Sequence, residues 1–269
     1  MPFCARLLGL LLATLPLEAA AEAPARVVSM NLCTDQLALL LADPGQLVAV
    51  SRVASDPVAS ALWEEASALP AVATDAEAIN GFAPDLVLAG AWDPPATLAM
   101  LRRLGVRVET FEIESSFADI HANVDRMGDL LGKPERAAEL LAAMDAELDR
   151  PLPTGPRPRA ALYYANGYTS GDGTLAHEIL TAAGYDNVAA ERGLQGLVHL
   201  PLEVLVTAAP DLLVIGQEYP SPALAQGILR HPAARALAAD HAAVADNLWT
   251  CGTPLAVEAV ATLRAIQPR

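Results

Sequence analysis

The sequence predicts an α/β fold: two parallel-sheet lobes joined by a single rigid helix. Three observations predict it. The first is a phrase that occurs twice, Glu77-Ala-Ile-Asn-Gly-Phe-Ala-Pro84-Asp85-Leu86-Val-Leu-Ala-Gly90 and Glu203-Val-Leu-Val-Thr-Ala-Ala-Pro210-Asp211-Leu212-Leu-Val-Ile-Gly216, with six identities in fourteen positions. In each copy a short helix must stop before the proline, an aliphatic run suits a buried parallel strand, and a glycine lets the chain turn at the strand's carboxyl end. The second is the regular alternation of such runs with helical segments, the pattern of a helix-covered parallel sheet. The third is a purely helical zone, residues 117–150, lying between the two copies and closed by the proline-dense stretch Pro151-Leu-Pro-Thr-Gly-Pro156. Two copies 126 positions apart are too few for a solenoid and fit two similar lobes.

The elements follow in order. Arg26-Val27-Val28-Ser29 is a first strand. A helix over 36–42, capped by Thr34 or Asp35, halts at Pro44-Gly45. Residues 47–51 form a second strand, 69–73 a short third, and 85–90 the strand of the repeated phrase. A helix over 97–104 ends at Gly105, and residues 106–111 alternate enough to be an edge strand. Gly132 and Pro134 break the helical zone in two; its second half carries Ala137, Leu140, Leu141, Met144 and Leu148 on one face. The second lobe restarts with a strand over 159–165 and a flexible glycine-containing loop over 166–173. A helix over 174–183, the second phrase, a helical stretch over 223–239 broken at Pro232, a strand over 243–245 and a closing helix over 255–266 complete it. The expected divisions are 1–21, a cleaved export signal; 22–116, the first lobe; 117–150, the connector; and 151–269, the second lobe.

A chain of 269 residues with 53% hydrophobic content has room for two packed cores. Its net charge of −15 argues against nucleic acid as a partner, because no basic face could neutralise phosphates. Arg6, the apolar run 7–17 and Ala19-Ala20-Ala21 read as a signal peptide cleaved near Ala21. The run is shorter than the ~18 apolar residues of a membrane span. The expected location is therefore an oxidising exported compartment, the periplasm. Cys33 and Cys251 remain after cleavage; a disulfide and two buried thiols packed as small hydrophobes are both open.

Enzyme signatures are missing. There is no Gly-x-Ser-x-Gly elbow and no Gly-x4-Gly-Lys loop, and the single lysine, Lys133, sits in a turn. His121, His177, His199, His231 and His241 are scattered, with no pair at ligand spacing on a helix, so no metal site or resident cofactor is expected. Trp92, Tyr168, Tyr219 and Trp249 each fall just past the carboxyl end of an expected strand, where open α/β sheets bind ligands. With Asn31 after the first strand and Arg52 after the second, they are the candidate ligand-binding residues; large amphipathic rings suit a flat or chelate-like ligand. Glu77 and Glu203 each lie seven residues before their proline. They read equally as solvated helix-start glutamates or as twin charges for a two-fold symmetric partner.

The order and spacing of these motifs resemble the periplasmic substrate-binding proteins of ABC importers for iron–siderophore, cobalamin and haem. The likeness rests on the opening Arg26-Val27-Val28-Ser29, the Glu-x6-Pro-Asp-Leu phrase in both lobes, Leu180-Thr-Ala-Ala-Gly184-Tyr-Asp-Asn187 and the helical zone, and it covers nearly all of the chain after the signal. It implies a bilobal clamp with a single spanning helix and a shallow cleft that closes only slightly. It also implies a monomeric receptor whose Glu77 and Glu203 meet arginines of a two-subunit membrane permease. The implied ligand is cobalamin or a ferric siderophore, with Arg52 and Arg192 as the candidates for an anionic chelate. Haem, held by Tyr168 or His199, and a bare metal are alternatives within the same fold, and an exported α/β enzyme acting on a small molecule at the same cleft is the alternative outside it. Cys33 and Cys251 fall beside cleft loops of opposite lobes, which leaves open a cross-cleft bridge or a direct contact with the ligand.

Overall fold

The computed structural model of the chain describes residues 22–215, 223–237, 240–244 and 246–267; the expected signal 1–21, Gly216 and Tyr219 lie outside them. The first lobe runs β1 (Val27–Ser29), α1 (Leu32–Leu41), β2 (Leu47–Ser51), α2 (Trp63–Ser67), β3 (Ala71–Val72), α3 (Ala76–Asn80), β4 (Leu86–Gly90), α4 (Pro95–Arg103) and β5 (Arg107–Phe111). Its five strands are all parallel in the order β3-β2-β1-β4-β5, and β5 is an edge. The order reverses between β1 and β4, so the crevice outside their carboxyl ends is where this topology places a ligand. All five residues of β4 are buried, as a strand covered by helices on both faces requires.

The connector is α5 (Phe117–Leu131) and α6 (Pro134–Leu148), separated at Gly132, which takes a left-handed conformation. At 1.5 Å per residue each is about 22 Å long. The expected spanning helix therefore has a companion packed beside it. At the start of α6, Lys133 pairs with Asp43 and Arg136 donates to the Leu40 carbonyl, both in the first lobe. At its end Arg264, from the second lobe, donates to the Glu147 and Leu148 carbonyls at 2.6 and 3.1 Å. Helix α5 runs the other way: Phe117 N–H donates to Glu178 of the second lobe, and the Leu131 carbonyl accepts from Gln46 of the first. One hydrophobic core runs through both lobes along this pair, from Val27 and Leu88 through Met127 and Met144 to Leu162 and Leu263.

The second lobe comprises β6 (Arg159–Tyr163), β7 (Tyr168–Ser170), α7 (Leu175–Ala182), β8 (Asp186–Asn187), α8 (Val188–Glu191), β9 (Leu197–His199), α9 (Leu202–Ala208), β10 (Leu212–Ile215), α10 (Pro232–Arg235), β11 (Asp240–Ala243) and α11 (Ala256–Ala265). Its main sheet is parallel in the order β11-β10-β6-β8, the arrangement of β5-β4-β1-β2 in the first lobe.

Four local expectations are corrected. The cap of α1 is Asn31, whose side chain accepts from Cys33 N–H, so the helix begins earlier than Thr34 or Asp35 would allow. The loop expected over 166–173 contains β7, which pairs antiparallel with β9 to form a ribbon. The helical stretch expected over 223–239 does break at Pro232, which supplies no N–H to continue a helix, but its first part, Leu224–Arg230, is a 3-10 turn and only the short α10 after the break is α-helical. The strand expected at 243–245 is β11, which ends at Ala243.

The repeated phrase does the same structural work twice. The residue before each proline, Ala83 and Ala209, is left-handed with φ 46°. The aspartate after each proline accepts backbone N–H groups at the start of its lobe's first strand, Asp85 from Ala25 and Arg26 and Asp211 from Arg159. The arginine there reaches back to carbonyls at the end of the preceding helical segment: Arg26 to Phe82 and Ala83, Arg159 to Ala208.

Candidate functional site: the cleft between the lobes

The carboxyl ends of β1 and β4 meet at Asn31 and Gly90. Asn31 lies so close to the strand that a Cβ at Gly90 would sit 2.5 Å from its Nδ2, which only glycine permits. Gly90 N–H donates to Asp93 at 2.7 Å, and Asn31 also bonds Asp93, whose carboxyl is raised above the ordinary range chiefly by burial. Two hollows open on either side of Asn31. One, of about 200 Å³, is lined by Trp92, Phe111, Ile113, Glu114 and Thr250 among others; the second, of about 410 Å³, by Ser51, Arg52, Val53, Thr74 and Asp93. Thr250 belongs to the second lobe, so the first hollow is part of the cleft between the lobes. A larger hollow of about 740 Å³ lies around the prolines 151–158, away from any strand's carboxyl end.

Trp92 is 83% exposed and Ile113 64%, an arrangement that leaves large apolar area waiting to be covered. On the second lobe the β7–β9 ribbon presents Tyr168, 42% exposed, edge-on to the His199 ring at 6.1 Å, with Leu197 exposed beside it. Three of the four charged residues lining the two hollows are acidic. Asp93 and Glu112 line the hollows, and so does Glu114, whose carboxyl burial pushes up while Asn123 donates to it at 2.5 Å. Arg52 is the one arginine among these lining residues.

Beneath Arg52, Asp35 holds the turn in place. Its carboxylate accepts from Ser51 N–H at 3.1 Å and from Ser51 Oγ at 2.5 Å, and burial raises it from an ordinary 3.8 to about 6.

Not every candidate reaches the cleft. Trp249 is half-buried and packs against the main core, next to Thr250, which lines the first hollow. Arg192 caps α8 next to Glu191, which pairs with Arg159 at the amino end of β6, the end remote from the cleft. Among the histidines, His121 pairs with Asp145 and His177 contacts Asn187. Among the described residues no three His, Cys, Asp or Glu side chains are grouped to hold a metal ion. Sequence reasoning missed Asp93, Ile113 and Glu114. The carboxyl-end rule, applied to β5 as well as β4, would have found Ile113 and Glu114.

Glu77 and Glu203 occupy equivalent places. Each is the exposed second residue of the helix, α3 or α9, that precedes the lobe's second long strand. Such a helix runs back against its strand, so its first turn lies on the strand's carboxyl-end side, the cleft side. Cys33, in the first turn of α1, and Cys251 are joined by a disulfide with Cα atoms 5.0 Å apart, linking the two lobes.

Residues 27–245 match the model of a family described as periplasmic binding protein. A cobalamin-binding protein of Halobacterium salinarum is 31% identical over 200 residues, 72% of this chain, which spans about half (54%) of that relative's length. A vitamin B12-binding protein of Yersinia pestis is 26% identical over 225 residues, 80% of this chain and 76% of the relative. The apo structure of a periplasmic haem-binding protein, RhuT from Roseiflexus sp. RS-1, superposes with a TM-score of 0.71 at 25% identity, covering 89% of this chain and 96% of that one. No helix among the described residues is long and apolar enough to cross a membrane.

Proposed function

We propose, from the premise that this chain belongs to the periplasmic binding protein family, that it is the receptor component of an ABC importer. It captures a corrinoid of the cobalamin class in the cleft between its lobes and delivers it to a membrane permease. The chain is a binding protein and not an enzyme, like the relatives it matches.

One observation carries the choice of ligand. Exposed Trp92 and Ile113 stand beside Asp93, Glu112 and Glu114, with Arg52 the one arginine among the lining residues. Apolar area suits the face of a broad macrocycle, and carboxylate and amide side chains suit a rim of amide N–H donors, which a corrinoid presents. A polyanionic ferric siderophore would meet like charge, which costs affinity. The cobalamin-binding relative at 31% identity supports the same reading. A second reading, haem, is favoured by the Tyr168–His199 pair, since either side chain can serve as an axial ligand.

Delivery rests on Glu77 and Glu203. Displayed at matching positions on the cleft side of the two lobes, they suit cationic groups on a permease of two similar subunits. The family to which the chain belongs and the signal expected at 1–21 both support a periplasmic location.

The ligand choice is tested by titrating the purified chain with cyanocobalamin, haem and a ferric hydroxamate, following tryptophan fluorescence. Quenching that saturates with cyanocobalamin at the lowest concentration supports the corrinoid reading. Preference for haem, abolished by Tyr168→Phe with His199→Ala, transfers the site to the second reading.

A further inference from the structure

Residues 246–253 belong to the second lobe by sequence, yet they are fastened to the first at three points. Asn247 Nδ2 donates to the Pro57 and Ser60 carbonyls at 3.2 and 3.3 Å. Cys251 is disulfide-bonded to Cys33. Gly252 lies so close to Glu114 that any side chain at 252 would collide with it. Three residues of this junction, Cys33, Glu114 and Thr250, also line the 200 Å³ hollow together with Asn31 and Trp92. The tie between the lobes and the wall of the site are therefore built from the same residues.

The lobes have a second, separate join. Helices α5 and α6 bridge them, and Arg264 fastens the end of α6 to the second lobe through the Glu147, Leu148 and Ala182 carbonyls. With only that join, the lobes could rock about the helix pair, and the distance across the cleft would vary. The disulfide adds a covalent join inside the cleft itself, at a fixed Cα separation of 5.0 Å. A site whose walls are held at one spacing has less conformational freedom to lose on binding a ligand that fits it, and affinity rises accordingly.

We infer that Cys33 and Cys251 are positioning residues for ligand capture: their bond fixes the spacing between the Asn31–Trp92 wall and the Thr250 wall. The inference deepens the proposed function and rests on that reading for the identity of the ligand, but not for the tie itself.

The test compares three forms of the chain from residue 22 onward. These are the oxidised protein, the same protein reduced under native conditions by a dithiol that itself closes to a cyclic disulfide, and a Cys33→Ser/Cys251→Ser variant. The first readout needs no ligand. Hydrogen exchange in 246–253 and 112–116 is expected to quicken at least about tenfold in both cut forms, a partial opening, while α5 and α6 keep their protection. Unchanged exchange in those segments would overturn the inference. The second readout is the dissociation constant for cyanocobalamin at 25 °C, where all three forms are folded by circular dichroism. It is expected to rise about tenfold in both cut forms, as lost preorganisation predicts, and to recover when the reduced protein is reoxidised. A lower melting temperature with unchanged affinity would show a merely structural bond and overturn the inference. If the oxidised protein does not bind cyanocobalamin, the corrinoid reading falls, and the exchange result alone decides whether the bond holds the cleft.

Discussion

Ala83 and Ala209 hold the same left-handed backbone conformation, φ 46° in each, although 126 positions separate them. Both lie between a helix and a Pro-Asp pair whose carboxylate binds the start of the lobe's first strand. An L-residue with a Cβ is disfavoured there, and glycine is not. Ala83→Gly and Ala209→Gly should each leave the protein as stable or raise it by about 0.5 kcal/mol, the Cβ penalty less glycine's extra chain entropy. The sites are far apart, so the double variant should add the two effects in urea unfolding.

Burial raises Asp35 from 3.8 to about 6 in the folded chain. Its neutral form is thus the one the fold favours. The contribution of this group is complete below pH 3.8 and is lost as pH rises through about 6. Asp35→Asn removes the titration while an amide can still meet Ser51 N–H and Oγ. The variant should gain on the wild type between pH 4.5 and 7.5, by up to on the order of 3 kcal/mol. Urea midpoints of the two proteins that stay parallel across that range would refute the assignment.

Cutting the Cys33–Cys251 bond also releases a loop of sequence separation 218. The chain-entropy argument puts its contribution to stability at about 5 kcal/mol. The double serine variant should therefore unfold at a markedly lower denaturant concentration, with the loss read from the urea midpoint.

Trp92, 83% exposed, can contribute little to the fold. Trp92→Ala should leave the melting temperature nearly unchanged but cost about 2 kcal/mol in ligand binding, roughly thirtyfold, as expected for an aromatic anchor covered only in the complex.

Glu77→Arg with Glu203→Arg should abolish uptake in a reconstituted permease and leave ligand affinity unaltered. Both side chains are exposed helix-start residues outside the hollows that line the cleft. Undiminished uptake by the double variant would remove them from docking.

What could be read from the chain was local and periodic. The aliphatic runs of β2 and β4 must be buried on both faces, and Gly132 with Pro134 must interrupt a helix, so these elements needed no tertiary information. What could not be read depends on distant partners. Tyr168–Ser170 became a strand because Leu197–His199 pairs with it, and nothing in the glycine-rich stretch itself signals that partner. Asn31 outcompetes Thr34 and Asp35 as a cap because those two side chains are drawn to Ser29 and Ser51. The packing of Trp249 against the core likewise depends on distant partners, since the segment carrying it is fastened to the first lobe at Asn247 and Cys251. The carboxylates of the site escaped notice because an isolated acidic residue in an acidic chain carries no pattern.

Whether the cleft between the lobes captures a corrinoid is decided by calorimetric titration of the oxidised chain with cyanocobalamin. One ligand is expected per chain, with a dissociation constant at or below about 1 μM, equivalent to roughly 8 kcal/mol, weakened by Trp92→Ala. Absence of saturable heat with a folded protein, or binding that Trp92→Ala does not touch, would contradict capture in the cleft.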